Sequence, residues 1–433
     1  MNYSLILSTI SALSLMVGCG SKGPTKGSIH TNVQNSQTLP TEVASKAPTI
    51  KVFVENSGSM YGYVKGNTDF ETAVYSFLSD IQHAELGLKS DSTSLKNTLE
   101  LNYINSITLH QEPDLKEFIK ALEPYEFRLR GGNQGTSDMA EIISSIVSQT
   151  TENDVSIFVS DCIFSPGNQY RQRDNADEYL VAQQIDIKAT INERLKIDPN
   201  FAAVVMQLTS KFEGLYYNKF DEKTSIKDER PFYIWLMGNS GQIKKILDTV
   251  KVENIKGKGV KNIFMVSNPA KKLPYQILAN NSVGKMKPDI SDPKTTITNA
   301  KPQKKGGVKQ FQVAIGVDFS KSLLPEDYIL DVNNYSVSNK SYSLEVVKNP
   351  IKTAHTHILK LTLTDAIIAK GTITISLNRS LPNWITEYTD TDGLDINAEG
   401  AMNKTYGLKY LIEGIYEAYS SDNGHGTITI NIK

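Results

Sequence analysis

Short apolar segments alternate with helical segments over residues 49–250, and this alternation limits the possible folds more than any other feature of the chain. The apolar segments are rich in β-branched and aromatic residues, as buried strands are, and they lie at 49–54, 99–109, 155–160, 201–208 and 232–237. Helices are predicted at 70–81, where Thr68 and Glu71 form a capping box, and at 139–147, 177–195 and 240–250. Strands that alternate with helices usually pair in parallel, so the pattern predicts an α/β fold with a doubly wound, mainly parallel sheet.

Hydroxyl and carboxylate side chains stand close to the ends of the predicted strands. Glu55, Ser57 and Ser59 follow the first strand, Thr136 lies in a glycine-rich loop before a helix, and Asp161 directly follows a later strand. In open α/β sheets the ligand site lies outside the carboxyl ends of the strands, where such loops converge. Oxygen atoms of this kind are the ligands of hard divalent cations. The pattern therefore predicts a cation site with few charged ligands.

These residues resemble the metal-ion-dependent adhesion site of the von Willebrand factor A (vWA) domain family. The family motif is Asp-x-Ser-x-Ser after the first strand, a Thr in a glycine-containing loop and an Asp that ends a later strand; this chain has V-E-N-S-G-S-M at 54–60, G-T-S-D at 135–138 and F-V-S-D at 158–161. The resemblance covers roughly residues 48–268 and implies a vWA- or Rossmann-like domain there. It also implies direct metal ligation by the hydroxyls of Ser57, Ser59 and Thr136, with Asp161 and Glu55 mostly one water away. The last position on the ion would take an acidic group from a partner protein.

Glu55 departs from the family pattern, which has Asp at this position. The additional methylene group moves the carboxylate by about 1.5 Å, the length of one carbon–carbon bond. Since Mg²⁺ requires short distances and near-octahedral geometry, this shift could weaken the site or favour Mn²⁺ or Ca²⁺ over the expected Mg²⁺. The alternative is a degenerate domain in which Ser57, Ser59 and Thr136 only cap helices and loops.

The N-terminal residues are predicted to form an export signal. The apolar run at 5–17 is too short to span a bilayer and ends at Gly-Cys-Gly. It resembles the lipobox of bacterial lipoproteins, although Met16 stands where Leu is usual. The resemblance implies a signal peptide at 1–19 with lipidation of Cys19, and an ordinary cleaved signal peptide is the alternative. Residues 20–47 are rich in Gly, Ser, Thr, Asn and Pro and predict a flexible tether to a membrane of the bacterial envelope, facing the periplasm or the cell surface.

Residues 269–433 are predicted to form a β-rich domain. Apolar and polar residues alternate with the period of a strand in several short segments, which predicts an antiparallel β-sandwich-like fold; the segments lie at 310–317, 328–332, 342–347, 357–363, 371–377 and 426–432. One helix interrupts this pattern at 405–419, and we expect it to pack on the sandwich or against the first domain.

A lysine-rich stretch joins the two parts. Residues 244–309 contain fifteen lysines and only four acidic residues. We expect a solvated basic face, and the alternative is a cationic surface for acidic lipid head groups or polysaccharide. Aromatic residues are sparse there, which argues against a platform for single-stranded nucleic acid.

Composition and motifs exclude several classes of function. With 46 basic and 47 acidic side chains, the formal net charge of −1 gives no general reason to expect nucleic-acid binding. Two cysteines are too few for a disulfide framework or a cysteine zinc site. The nucleophile elbow, the phosphate loop and the dinucleotide fingerprint are all missing from the sequence. We therefore expect an envelope-anchored adhesion or complex-assembly protein and not an enzyme; the alternatives are a structural envelope lipoprotein with a degenerate metal site and a metal-assisted hydrolase.

Overall fold

The structure of the protein, a computed structural model, describes residues 48–86, 97–111, 114–135, 137–165, 176–268, 273–351, 354–365, 367–419 and 424–433. Three predicted features lie outside the described residues: the lipidation residue Cys19 with the signal peptide at 1–19, the tether at 20–47, and Thr136 of the candidate metal site. Within the described ranges, the helices are too short or too polar to cross a membrane.

The first part of the described chain builds one large sheet and the helices around it. The strands are β1 (Ile50–Glu55), β2 (Leu99–Ile104), β3 (Thr108–His110), β4 (Val155–Ser160), β5 (Phe201–Tyr217), β6 (Lys223–Asn239) and β7 (Asn262–Ser267). The helices are α1 (Asp69–His83), α2 (Leu115–Lys120), α3 (Pro124–Leu129), α4 (Met139–Gln149), α5 (Ala176–Ile197) and α6 (Ser240–Thr249).

The central sheet has the strand order β3-β2-β1-β4-β6-β5-β7. Its middle, β2-β1-β4, is parallel, and the other neighbouring pairs are antiparallel. Most strands of the sheet, β2, β1, β4 and β5, run in one direction, because β5 is antiparallel to β6 and β6 is antiparallel to β4. The protein is therefore a mixed α/β protein with its parallel pairing at the centre of the sheet.

The segments predicted as separate strands at 201–208 and 232–237 are the two ends of one long hairpin, β5–β6. Its register runs without interruption from Phe201 opposite Asn239 to Tyr217 opposite Lys223. No helix separates the two strands, so they pair antiparallel and not in the parallel manner that the alternation suggested. Because each strand has 17 residues, the hairpin is far longer than the neighbouring strand β4, which has 6.

The helices cover both faces of this sheet. Ile50, Val52 and Val54 of β1 belong to an apolar layer that includes buried residues of α1, α2 and α6. Phe53 of β1 and Phe158 of β4 face the opposite layer, with α4 and α5. Successive side chains of a strand point to opposite faces of the sheet, and both faces are covered here. The strands are therefore nearly continuous apolar runs in the sequence.

Two helices start at side-chain caps, and the first of these was predicted from the sequence. The hydroxyl of Thr68 accepts a hydrogen bond from the backbone N–H of Glu71 at 3.3 Å, which confirms the predicted cap of α1. Asp138 accepts from the N–H of Glu141 at 2.9 Å and begins α4. The cap of α4 fixes the direction in which the chain leaves the loop that contains Thr136.

The second part of the described chain consists mainly of short strands. They are β8 (Tyr275–Ile277), β9 (Lys285–Pro288), β10 (Thr296–Lys301), β11 (Gln303–Lys305), β12 (Val308–Gln310), β13 (Gln312–Val317), β14 (Tyr335–Val337), β15 (Tyr342–Lys348), β16 (His357–Leu363), β17 (Gly371–Leu377), β18 (Thr389–Asp390), β19 (Thr405–Tyr406) and β20 (Gly426–Ile432). The helices of this part are α7 (Glu326–Leu330), α8 (Asn383–Glu387) and α9 (Leu408–Ala418).

Two of the additional sheets share one apolar core. Their orders are β14-β17-β20-β10-β9 and β15-β16-β13-β8, and every pair except β10–β20 is antiparallel. Val313 and Ile315 of the second sheet and Ile373, Ile375 and Ile430 of the first belong to this core. Two sheets with a common core form a sandwich-like layer. The domain boundary at 268/269 stays a prediction.

The helix predicted at 405–419 begins at Leu408 and packs against the first part of the chain. Leu411, Ile412 and Ile415 of α9 are buried in the apolar layer that also contains residues of α4 and α5. A Cβ atom on Gly414 would lie 2.7 Å from the carbonyl oxygen of Gln184 in α5, so the glycine allows the two helices to come close together. The C-terminal part of the chain thus completes the helical layer on one face of the central sheet.

This packing is tested by two isoleucines of α5. Ile187 is fully buried against Gly414, whereas the side chain of Ile185 is 58% exposed. We expect Ile187→Ala to lower the free energy of unfolding by about 2–5 kcal/mol, because it leaves a cavity between α5 and α9. Ile185→Ala should change it by less than about 0.5 kcal/mol. Urea denaturation of the two variants measures both values, and equal effects would contradict the packing of α9 on α5.

Candidate functional site

The candidate site lies at the carboxyl ends of β1 and β4. The two strands are parallel neighbours with Val54 opposite Val159, so Glu55 at the end of β1 and Asp161 just after β4 leave the sheet at the same edge. Both carboxylates are buried, with exposed fractions of 0% and 1%. Ser57 is buried beside them. The structure therefore brings together predicted residues that are more than one hundred positions apart in the sequence.

Both carboxylate oxygens of Glu55 accept hydrogen bonds from serine hydroxyls. Ser137 donates to one oxygen at 2.7 Å, and Ser160, the last residue of β4, donates to the other. The Ser160 hydroxyl in turn accepts from the backbone N–H of Cys162 at 2.7 Å. Sequence reasoning missed Ser137 and Ser160, although each is adjacent to a predicted residue. Because the side chain of Glu55 is longer than that of Asp, its carboxylate extends to the Ser160 hydroxyl at the end of β4.

The loop after β1 supplies a pair of hydroxyls next to these carboxylates. The Oγ atoms of Ser57 and Ser59 lie 3.1 Å apart. The N–H of Gly58, between them, donates to the carbonyl oxygen of Gln134 at 2.9 Å. This bond joins the loop after β1 to the glycine-rich loop that contains Thr136. Thr136 itself is outside the described residues. Its neighbour Ser137 donates a hydrogen bond to Glu55.

The two buried carboxylates repel each other and lack solvent. Burial, followed by the charge of Asp161, raises the pKa of Glu55 from its ordinary value of 4.5 to about 7, while the hydroxyls that donate to Glu55 act in the opposite direction. Burial likewise raises the pKa of Asp161. The Ser59 hydroxyl is the largest of the opposing effects on Asp161, and the charge of Arg230 also contributes. A cation between the two groups would relieve this repulsion.

One oxygen of Asp161 has no hydrogen-bond partner among the described residues. Its Oδ1 accepts from the N–H of Ile163 at 3.2 Å, but its Oδ2 is buried and unpaired. A buried acceptor without a partner is costly, and in native proteins an ion or water commonly satisfies it. This buried oxygen is therefore available to a bound ion or water.

The space beside these groups suits one small ligand. A cleft of about 20 Å³ lies between Ser57, Ser59, Gly135, Ser137 and Tyr217, among other residues. A cavity needs roughly 10–15 Å³ to hold one water molecule, so the cleft has room for one water or one ion. The hydroxyls of Ser57, Ser59 and Ser137 among the lining residues are oxygen ligands of the kind that a divalent cation prefers.

Three or more His, Cys, Asp or Glu side chains do not cluster anywhere in the described ranges in a way that could hold a metal ion. The candidate site has only two carboxylates, Glu55 and Asp161, and its other oxygens belong to hydroxyls.

The long hairpin covers part of the site. The hydroxyl of Tyr217, at the end of β5, would lie 3.3 Å from a Cβ atom on Gly58, so a side chain at this position would require Tyr217 or its neighbours to move by a few tenths of an ångström. The turn after β5 is held by the N–H of Lys219, which donates to the carbonyl oxygen of Gly393 at 2.9 Å, and by Asn218, which donates to that of Leu394 at 3.2 Å. Sequence reasoning missed this cover, because it depends on contacts between distant segments.

A buried arginine supplies positive charge behind the site. Arg230 of β6 is 1% exposed, its guanidinium lies 4.8 Å from the centre of the Tyr216 ring, and one of its Nη atoms donates to the carbonyl oxygen of Lys404 at 3.3 Å. Because its charge opposes the rise in the pKa of Asp161, Arg230 stabilises the ionised form of that carboxylate. No sequence signal distinguished this arginine from others.

Comparison of the chain with models of protein families, with curated proteins and with solved structures returned no match.

The raised pKa of Glu55 predicts a pH-dependent stability. Glu55 binds its proton more tightly in the folded state, with a pKa of about 7, than in the unfolded state, where the ordinary value is 4.5. The free energy of unfolding should therefore fall as the pH rises from about 4.5 to about 7. In Glu55→Gln, which keeps the size of the side chain but replaces one acceptor oxygen with an NH2 donor, this titration should vanish.

Urea denaturation of both proteins in a metal-free buffer at several pH values between 4 and 8 measures the difference. Glu71, whose pKa is also raised to about 7, is present in both proteins and cancels in the comparison. Equal pH dependence in the two proteins would show that Glu55 is not the group responsible.

Proposed function

We propose that this chain is an envelope-anchored adhesion or complex-assembly protein that captures an acidic group of a partner protein through a divalent cation. The observation that carries the proposal is the unpaired, buried Oδ2 of Asp161 beside the hydroxyl pair of Ser57 and Ser59. The proposal includes a vWA-like fold for residues 48–268. The parallel strands β2-β1-β4, the helices on both faces and the position of the site at the carboxyl edge support that assignment.

Each side chain has a defined part in this proposal. The hydroxyls of Ser57 and Ser59, with that of Thr136, bind the ion directly, and Asp161 and Glu55 contribute mostly through water. Glu55 supports the site through the hydroxyls of Ser137 and Ser160, to which it is already bonded. The ion is Mg²⁺, with Mn²⁺ and Ca²⁺ as alternatives, since all three prefer oxygen ligands.

A cation held mostly by neutral hydroxyls keeps much of its positive charge and so attracts a carboxylate from another molecule. That carboxylate would enter beside Gly135, which is exposed, because Ser57 and the two acidic residues are buried. Tyr217 limits the width of this entrance. The small space and the position of Tyr217 favour one acidic side chain as the ligand over a larger group.

Anchoring completes the proposed function. Lipidation of Cys19 and the tether at 20–47 would hold the described part of the protein at a membrane of the bacterial envelope, facing the periplasm or the cell surface. The proposed partners are therefore a protein with an acidic side chain and the membrane itself, without a role for nucleic acid.

A second candidate function is a structural envelope lipoprotein with a degenerate metal site. It is favoured by the hydrogen bonds of Glu55, because both of its oxygens have serine partners without any ion. With a pKa of about 7, Glu55 is also partly neutral near neutral pH, which lessens the need for a cation. This alternative predicts that divalent ions do not stabilise the protein.

Thermal unfolding with divalent ions separates the two candidates. If the proposal holds, Mg²⁺ or Mn²⁺ at about one hundred times its dissociation constant should stabilise the protein by about 2.7 kcal/mol and raise the unfolding temperature. The double variant Ser57→Ala/Ser59→Ala should fold but lose this shift, because it lacks two direct ligands.

The matched control is Ser336→Ala/Ser343→Ala, which removes two exposed serine hydroxyls from β14 and β15 and should keep the full shift. A chelator should abolish the shift in the unmodified protein. The proposal fails if Mg²⁺, Mn²⁺ and Ca²⁺ all leave the unfolding temperature unchanged, or if the Ser57/Ser59 variant keeps the shift.

A further inference from the structure

A second cleft, much larger than the first, lies at the opposite edge of the central sheet. Asn239, the last residue of β6, and Pro199, just before β5, contribute to its wall. Since β6 is antiparallel to β4 and Gly238 pairs with Val155 at the start of β4, this edge is the one farther from Asp161. The cleft has a volume of about 800 Å³, within the range of small-molecule sites.

The cleft has an excess of positive charge. Lys244, Lys245 and Lys321 line it, and the acidic side chain among the lining residues is Asp248, which forms an ion pair with Lys244 at 3.0 Å. Lys245 and Lys321 are exposed and form no ion pair with any residue in the described ranges. Two lysines of the basic stretch identified in the sequence thus share a concave surface with a third from the second part of the chain.

The neutral lining combines apolar residues, such as Leu323 and Leu324, with serines whose hydroxyls have unused hydrogen-bonding capacity. The side chains of Ser240, Ser267, Ser320 and Ser322 line the cleft, and their hydroxyls make no hydrogen bond to other residues that the structure describes. Serine hydroxyls donate readily to the oxygens of an anion. Apart from His425, the lining contains no aromatic ring, so the cleft offers no stacking surface for a nucleobase.

His425 adds a hydrogen-bonding group to the lining of the cleft. Its side chain is 7% exposed, it lines the cleft, and its ring packs edge-on against Tyr328 at 5.7 Å between ring centres. Neither ring nitrogen makes a hydrogen bond within the described part of the chain. Solvent reaches the ring nitrogens from the cleft, so an acceptor bound there can take a hydrogen bond from the imidazole N–H.

The start of α6 also borders the cleft but contributes no free N–H groups. The side chain of Asn239 accepts from the N–H groups of Gly241 and Gln242 at 3.0 and 3.2 Å, and the N–H of Ser240 donates to the carbonyl oxygen of Asn200. Recognition must therefore depend on the lysine, serine and histidine side chains.

We propose that this cleft binds a phosphate ester with a polar, non-aromatic body, whose phosphate is neutralised by Lys244, Lys245 and Lys321. Lysine ammonium groups bind phosphate as point charges, and a phosphate offers several strong acceptors for nearby hydroxyls. The volume exceeds what a bare phosphate fills, so the ester body occupies the part lined by serines. The ester is either a soluble sugar phosphate or the head group of an anionic phospholipid.

The full-length protein with Cys19→Ala, which removes the proposed lipidation residue, and the double variant Lys245→Gln/Lys321→Gln in the same background test this proposal. Isothermal titration uses inorganic phosphate and glucose 6-phosphate, and a flotation assay uses phosphatidylcholine vesicles with and without phosphatidylglycerol. Saturable binding of a phosphate probe should weaken at least about tenfold in the variant, because two charge-assisted contacts are lost. His425→Phe, which keeps a ring against Tyr328, should weaken binding about fivefold.

The matched control is Lys285→Gln/Lys287→Gln, which removes two exposed lysines of the same basic stretch from β9, outside the cleft. Binding of glucose 6-phosphate that survives in the control and weakens in the cleft variant supports a soluble ester. Binding restricted to phosphatidylglycerol vesicles, with the same pattern among variants, supports a lipid head group. Equal weakening in both double variants, or no saturable binding of any probe, overturns the proposal.

Discussion

The parallel pairing of β1 with β4 is the constraint on which the rest of the candidate site depends. It brings Glu55 and Asp161 side by side at one edge of the sheet, with almost no exposure to water. Burial raises the pKa of both carboxyl groups, the charge of Asp161 raises that of Glu55 further, and the serine hydroxyls around them offset only part of these effects. The Oδ2 atom of Asp161 is buried and has no hydrogen-bond partner among the described residues.

Segments from other parts of the chain pack around this site and around the sheet that carries it. The β5–β6 hairpin extends beyond the sheet, and Tyr217 near its turn narrows the entrance to the site. Arg230 of the same hairpin provides a buried positive charge that favours the ionised form of Asp161. On the other side of the sheet, α9 from the C-terminal part of the chain completes the apolar layer over α5. Segments far apart in the sequence therefore enclose the site and stabilise the sheet that carries it.

Features that depend on one segment of the chain were predicted from the sequence, whereas features that depend on contacts between distant segments were not. The strand at 155–160 and the cap at Thr68 follow from residues within one segment, and both are confirmed. The hairpin β5–β6 was not predicted as a hairpin, because the order of strands in a sheet is decided by which apolar faces meet and not by the segments alone. The partners of Glu55 were missed for the same reason: Ser137 and Ser160 are ordinary serines until the fold brings them to a buried carboxylate.

Crystals of the protein grown with Mn²⁺ and measured at the manganese absorption edge would test the central claim most directly. The account predicts an anomalous peak within coordination distance, about 2.0–2.6 Å, of the hydroxyl oxygens of Ser57 and Ser59, and near Oδ2 of Asp161. The peak should be lost in crystals of Ser57→Ala/Ser59→Ala. A site that stays empty at saturating Mn²⁺, with Asp161 bonded instead to a protein group or an ordinary water, would contradict the account.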